Sequence, residues 1–248
     1  MITIKNDREI AIMREANRLL AQLFEHITPM IQPGMTTLEL DREAELFILS
    51  RGATPAFKGY RGFPGTLCSS VNDEVVHGIP GPRTLKPGDI LSIDVGALYE
   101  GFYSDAARTF PVGEVSDTAR QLIDVTRKAL EAGISQARPG NRISDISASV
   151  QKVVESAGFS VVRDFVGHGV GRNLHEGPQI ANFGKRGKGP VIHEGMTLAI
   201  EPMVNVGDWE VKILGDGWTV VTADGSLSAH FEDSVAVTKN GPLILSAP

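Results

Sequence analysis

The chain repeats its own pattern at a nearly constant displacement. Pro33-Gly34-Met35-Thr36-Thr37-Leu38 returns in character as Pro139-Gly140-Asn141-Arg142-Ile143-Ser144, 106 residues further on. Gly88-Asp89-Ile90-Leu91-Ser92-Ile93-Asp94 returns as Gly195-Met196-Thr197-Leu198-Ala199-Ile200-Glu201, at a displacement of 107. Each Pro-Gly entry leads into an amphipathic helix that stops near a glycine, Gly52 or Gly158. Each is preceded by another helical stretch, about Asp7 to His26 or about Asp117 to Gln136. Matching displacements through helix, helix and strand imply two structurally related halves, with Pro and Gly punctuating the helix ends. Two antiparallel helices and a strongly bent hairpin per half, packed about a pseudo-two-fold, predict an α+β fold in which helices cover the sheets. The stretch near residues 113–116 then reads as the seam between half-repeats of about 1–113 and 114–248, inside a single domain of residues 1–248.

Each repeated strand ends in an acid. The arm Asp89 to Ala97 and the arm Phe102 to Phe110, joined by Tyr99-Glu100-Gly101, form a hairpin that brings Asp94 and Asp105 close across the strands. Like charges so placed destabilise a sheet, and the apolar run from Ile90 to Ala97 predicts burial. Two ionised carboxylates are not buried side by side without a counter-charge. Solvent-facing acids on an edge hairpin are the commoner arrangement, but the rest of the chain argues against it. Two glycine-flanked histidines lie in Gly167-His168-Gly169-Val170-Gly171-Arg172-Asn173-Leu174-His175-Glu176-Gly177-Pro178. Glu201 closes one buried-looking strand and Glu232 opens another. Four carboxylates with one or two imidazoles suffice for two divalent ions sharing bridging oxygens, as in hydrolytic two-metal sites. Oxygen-rich ligation favours Mn, Fe or Co over a thiolate-type zinc site.

The order Asp94, Asp105, His168, Glu201, Glu232 resembles the ligand series of the dinuclear pita-bread metallopeptidases. The segments Asn72-Asp73-Glu74-Val75-Val76-His77-Gly78-Ile79-Pro80, Gly167 to Gly171, and Ile200-Glu201-Pro202-Met203 narrow it further. Together they look like a type I methionine aminopeptidase, and the resemblance covers nearly the whole chain. It implies the pita-bread fold and two divalent ions per chain, drawn from Fe, Mn, Co or Zn. Asp94 would bind one ion through both oxygens, Asp105 and Glu232 would bridge the pair, and His168 and Glu201 would complete the other. It also implies a metal-bridging hydroxide as nucleophile, formed near neutral pH, with Glu201 as proton shuttle to the leaving amine. A free substrate α-amine can also bind a metal, which would make the enzyme an exopeptidase.

His77 and His175 match the two histidines of the resemblance that bind no metal. His175 is the better candidate for the tetrahedral oxyanion, and His77 for the peptide group beyond the cleaved bond. His26, His193 and His230 read as ordinary structural histidines. Tyr60, Phe63, Cys68 and Trp218 match the family's methionine pocket, where sulfur–aromatic contacts would add to burial. Leu174 departs from the phenylalanine usual before the second histidine. The resemblance thus implies removal of N-terminal methionine from nascent chains with a small second residue, and contact with the ribosome is plausible. One alternative is an Xaa-Pro aminopeptidase or dipeptidase, which shares the ligands but carries a sizeable N-terminal domain. The other is a non-catalytic pita-bread binding module, disfavoured because all five ligand positions are intact. Between Glu201 and Glu232, thirty-one residues replace the eleven between Asp94 and Asp105. Glu210 to Leu214 and Trp218 to Thr222, around Gly215-Asp216-Gly217, read as an extra hairpin of the kind that builds the rim of a site.

A net charge of −6 argues against a nucleic-acid binder, and Lys185-Arg186-Gly187-Lys188 reads as a solvated loop. A lone cysteine, Cys68, excludes an internal disulfide and suits a reducing compartment. Charges throughout Met1 to Arg18 leave no signal-peptide core, and no run approaches the roughly 20 apolar residues of a bilayer span. A cytoplasmic monomer is expected.

Overall fold

The computed structural model describes residues 1–246. The first half supplies α1 (Asp7–Ile27), α2 (Thr37–Ser50), β1 (Thr54–Pro55), β2 (Leu67–Val71), β3 (Glu74–Val76), β4 (Ile90–Tyr99) and β5 (Phe102–Pro111). The second supplies α3 (Asp117–Ile134), α4 (Ile143–Ser156), β6 (Ser160–Val161), β7 (Gly167–Gly169), β8 (Glu176–Ile180) and β9 (Thr197–Ile200). It continues with β10 (Met203–Asn205), β11 (Val211–Ile213), β12 (Val220–Thr222), β13 (Ser228–His230), β14 (Glu232–Thr238) and β15 (Gly241–Ile244).

The helices begin where side chains take up their free N–H groups. Asn6 Oδ1 accepts from the Glu9 N–H at 3.0 Å while Glu9 returns a carboxylate to the Asn6 N–H at 3.1 Å. Thr36 and Glu39 cap α2 in the same reciprocal way, at 3.2 and 2.9 Å. Ser116 caps α3, and the Asp145 carboxylate takes the Arg142 N–H at the start of α4. Each such cap stabilises its helix by about 1 kcal/mol. Leu20, Leu23 and Ile27 of α1 bury against Leu91, Ile93 and Val95 of β4. Leu130 and Ile134 of α3, with Ile146 of α4, bury against Leu198, Ile200 and Val235. Each helix pair therefore covers the strands of its own half.

The halves join. A nine-stranded sheet runs β1-β4-β5-β14-β9-β7-β8, with β2 also on β4 and β15 also on β14. The seam is the pairing of β5 with β14, Ala107 opposite Glu232 and Ala106 opposite Asp233. Left unpaired, both edges would present bare backbone donors and acceptors. Arg108 fastens the seam, its guanidinium 2.5 Å from both the Glu232 carbonyl and Asp233 Oδ1. Where the sequence suggested half-sheets flanking a cleft, one continuous curved sheet carries the acids.

The second half also departs from the hairpin expected of it. β9 and β14 pair antiparallel, Ile200 opposite Asp233, but the chain between them leaves the sheet. β10 and β13 form a small sheet with β6, and β11 and β12 form another with β3 of the first half. The extra hairpin is present, with Val211 opposite Thr222 and Ile213 opposite Val220. Asp216 closes its loop by accepting the Trp218 and Thr219 N–H groups at 2.8 and 2.9 Å. Lys185, Arg186 and Lys188 face solvent. Among the described residues, no helix is long and apolar enough to cross a membrane.

Candidate metal centre and substrate pocket

The β4–β5 hairpin is unbroken from Ile90–Pro111 to Tyr99–Phe102 and turns through Glu100 and Gly101, both at positive φ. Asp94 lies opposite Ala107, and Asp105 opposite Gly96. The two acids are therefore diagonal neighbours on one face, close enough for long side chains to interact. On the other side of β4, Cys68 of β2 lies directly opposite Asp94.

His168 reaches the same face because its neighbours are glycines. A Cβ on Gly167 would stand 2.4 Å from the Ala199 carbonyl oxygen, and one on Gly169 would stand 2.1 Å from that of Gly177. Only bare backbone lets β7 lie that close to β8 and β9. His168 Nδ1 is 2.9 Å from the Gly169 carbonyl oxygen, which only accepts, so Nδ1 carries the proton. The Nε2 lone pair faces Glu201 Oε1 at 3.5 Å and Asp105 Oδ2 at 3.8 Å. That tautomer is the one a metal ligand needs.

Asp105, His168 and Glu232 bring donor atoms within 4.8 Å of one another. Asp94 and Glu201 line the same cavity, of about 200 Å³, as do His77, His175, Tyr60, Phe63, Cys68 and Trp218. Every residue singled out from the sequence is thus brought to one place. Four carboxylates meet there, and the arginine on the cavity lining, Arg61, is exposed and stacks over the Tyr60 ring at 5.4 Å instead of pairing with them. Asp94 Oδ1, Asp105 Oδ1 and Glu232 Oε1 are buried without a hydrogen-bond partner. Burial pushes the Asp94 carboxyl up to about 7. Burial first, then the neighbouring acids, raises Asp105, Glu201 and Glu232 well above the ordinary range. Burial lowers the His168 imidazole to about 4, keeping it neutral and able to ligate. Orphaned anionic oxygens around a neutral imidazole fit divalent cations, and the all-O/N donor set suits hard to borderline ions. Cys68 is no competitor, since burial holds its thiol protonated.

The pocket walls join this cluster. Phe63 meets Trp218 edge-on at 5.2 Å, and Ala56, Phe57, Phe63, Cys68 and Leu174 form one buried apolar group with Tyr60 and Trp218 packed on it. Tyr60 Oη lies 2.9 Å from His175 Nδ1, and the His175 ring is 4.3 Å from that of His168. His77 stands edge-on to Phe165 and Trp218. Its positive φ of 59° is backbone strain of the kind held at functional sites.

Sequence reasoning did not assign Phe57, Val76, Phe165, Val166, Met203 or His230 to the lining. His230 was assigned no more than a structural role. It is 1% exposed, its Nε2 has no hydrogen-bond partner, and that atom lies 3.9 Å from Glu201 Oε2. Its position two residues before Glu232, on a strand turned inward, was the available signal. His26, by contrast, forms a surface pair with Glu43.

Residues 11–239 match the model of metallopeptidase family M24. The chain belongs to that family. It is 56% identical over 246 residues to the methionine aminopeptidase of Clostridium perfringens, covering 99% of each chain. It is 54% identical, at the same coverage, to methionine aminopeptidase 1 of Bacillus subtilis. The crystal structure of the methionine aminopeptidase of Thermotoga maritima, 48% identical, superposes with a TM-score of 0.98 over the whole of both chains. The fold is also similar to that of the Xaa-Pro dipeptidase of Bacillus anthracis. That structure is 25% identical with a TM-score of 0.79, and this chain covers 62% of it. An M24 member with this buried acidic and histidine cluster is a metallopeptidase whose site suits divalent metal.

Proposed function

We propose that the chain is a methionine aminopeptidase, a hydrolase that removes N-terminal methionine from nascent proteins and peptides. The observation that carries this is the direct abutment of an apolar slot on the acidic cluster. Cys68 in the slot and Asp94 in the cluster are paired residues of adjacent strands. A side chain seated among Tyr60, Phe63, Cys68, Leu174 and Trp218 therefore leaves its own carbonyl at the carboxylates and His168. A slot walled by these aromatic and apolar side chains suits an unbranched thioether, which gains sulfur–aromatic contacts there.

Asp94, Asp105, His168, Glu201 and Glu232 would hold two divalent ions, Fe, Mn, Co or Zn. Such ions, when bound, polarise the scissile carbonyl and acidify water near neutral pH. Glu201 is placed to take the proton of the attacking water and deliver it to the leaving amine. With the Tyr60 hydroxyl donating to Nδ1, His175 keeps its proton on Nε2 and offers it to the oxyanion. His77, neutral because burial lowers it to about 4, is placed to bond the peptide group beyond the cleaved bond. The Phe165 and Trp218 rings edge-on to it narrow the space there, which favours a small second residue.

Nascent chains as substrate favour action in the cytoplasm near the ribosome, and we propose that the enzyme works there as a monomer. Met-Ala-Ser should be cut well, Met-Lys-Ser poorly and Leu-Ala-Ser hardly at all, compared by kcat/KM with and without added metal. Best turnover on peptides with a non-methionine first residue and proline second would replace this reading with an Xaa-Pro peptidase. Absence of hydrolysis under every metal condition would leave a binding module.

A further inference from the structure

The residues before α1 reach across to the second half. The Met1 carbonyl accepts the Gly177 N–H at 3.2 Å, Ile2 bridges Gly177 in parallel, and the Lys5 N–H donates to the Gly195 carbonyl at 2.8 Å. This lays the segment along the loop that carries His175. Lys5 Nζ then meets Glu176 Oε2 at 2.6 Å, with the two side chains only 5% and 4% exposed. Thr3 Oγ1 bonds both of them. The other Glu176 oxygen accepts the Asn173 N–H at 3.1 Å, so one carboxylate ties both sides of Leu174-His175 to the terminal segment. The space is fitted to the pair. A Cβ on Gly171 would fall 2.4 Å from Lys5 Cε, 2.6 Å from Nζ and 2.8 Å from Glu176 Oε1.

A buried ion pair is a costly way to stabilise a fold, since apolar residues of like volume often do as well. Its directional bonds serve better to fix geometry. The His175 ring reaches the surface with only the Tyr60 and His168 rings against it, so its orientation depends on how its backbone is braced. We infer that the Lys5–Glu176 pair, bonded through Thr3, is a positioning device that sets the His175 imidazole over the acidic cluster. Lys5, Glu176 and Thr3 are positioning residues and touch no substrate. The inference rests on the role proposed above for His175.

The test is a double-mutant cycle on Met-Ala-Ser hydrolysis. Lys5→Met should lower kcat about tenfold with KM within about twofold, and Lys5→Arg should restore most of it. In a His175→Ala background, Lys5→Met should change kcat by less than about twofold, because coupled residues are non-additive. Gly171→Ala perturbs the pair from the opposite side. Its methyl displaces only the ends of the Lys5 and Glu176 side chains and no backbone, so the chain should fold and show the same kcat loss. Full additivity of Lys5→Met with His175→Ala would overturn the inference and make the pair merely structural. A readout independent of turnover is the imidazole NMR signal of His175 on the metal-loaded protein. It should be a single set in the wild type, and shifted or split in Lys5→Met and Gly171→Ala. An unchanged His175 signal in both variants would also overturn the inference. Failure of the wild type to cleave the peptide would instead count against the aminopeptidase reading, with the NMR comparison still deciding the position of His175.

Discussion

The two halves carry their acids in different ways. Asp94 and Asp105 sit on one hairpin of ten-residue strands paired without interruption. Glu201 and Glu232 sit at the end of β9 and the start of β14, separated by an excursion through four short strands. The first half is a platform. The second half spends its extra length on the pocket: Met203 at the start of the excursion, Trp218 in the loop of its hairpin and His230 at its end all line the cavity. His168 and His175 come from the same half, on Gly-rich backbone that lies close against its neighbours. One copy of the repeat thus provides rigid charge together with His77 and the slot wall of Tyr60, Phe63 and Cys68, while the other provides charge, the imidazoles of His168, His175 and His230, and the slot's far side.

The comparison is broken most severely at the platform. Asp105→Ala should abolish hydrolysis and metal uptake while the chain stays folded, since the variant removes a buried, unpaired charge rather than a packing group. Metal content and circular dichroism of the purified protein check both halves of that statement. Near-normal turnover of the variant in metal-free buffer would end the metal-centre assignment.

On the other half, His175→Ala should lower kcat about 10²-fold, the usual effect of losing one oxyanion donor, with metal content unchanged. A variant purified without metal would make His175 a ligand. The two substitutions together ask whether ligation and transition-state contact are divided between the halves as proposed.

Removing the metal sharpens the electrostatic side. Without cations the Asp94 carboxyl, raised from 3.8 to about 7, keeps a proton that the unfolded chain has already lost. The stability tied to that proton is complete below the unfolded value and is lost as pH rises through about 7. Burial raises Asp105, Glu201 and Glu232 as well, so they act in the same sense. The lowered imidazoles of His77 and His168, both about 4, act in the opposite sense, costing stability as pH falls below 6.5. Chelation should therefore lower Tm more at pH 7.5 than at pH 5.5. A gap of roughly five to ten degrees is expected, given that about 1 kcal/mol moves Tm by about 2–4 °C at this size. An equal effect at both pH values would show that the carboxylates are not the groups the cations neutralise.

The sequence made the platform readable and much of the rest less so. The Pro-Gly entries and the Tyr99-Glu100-Gly101 turn are local signals, and each element lies where they place it. The five acidic and histidine positions were readable because charge in apolar strands is costly and so stands out. The β5–β14 seam, the pairing of β3 with β12 and the Lys5–Glu176 pair were not. They join residues 125 to 171 positions apart, and no local pattern announces a partner at that range. His230 was hidden for a related reason. Its orphaned nitrogen acquires meaning only when Glu201, twenty-nine residues earlier in the chain, is placed 3.9 Å away.

The smallest effect concerns the wall where the halves meet. Leu174 belongs to the second half, yet it is buried at 3% exposure among Ala56, Phe57, Phe63 and Cys68 of the first. It occupies the place where the resemblance would put a phenylalanine. A leucine leaves more freedom at the end of the slot than an aromatic ring would, so discrimination against other apolar first residues depends on how much of that space the ring would fill. Leu174→Phe should leave kcat/KM for Met-Ala-Ser within about threefold and cut that for Leu-Ala-Ser about tenfold, the scale set by one or two methylene-sized contacts. Overpacking costs typically about 1–3 kcal/mol in stability, so Tm should drop modestly while selectivity rises. If both peptides lost activity in equal proportion, the ring would be distorting the Cys68–Asp94 pairing that links slot to cluster, and the slot would have no slack for position 174 to control.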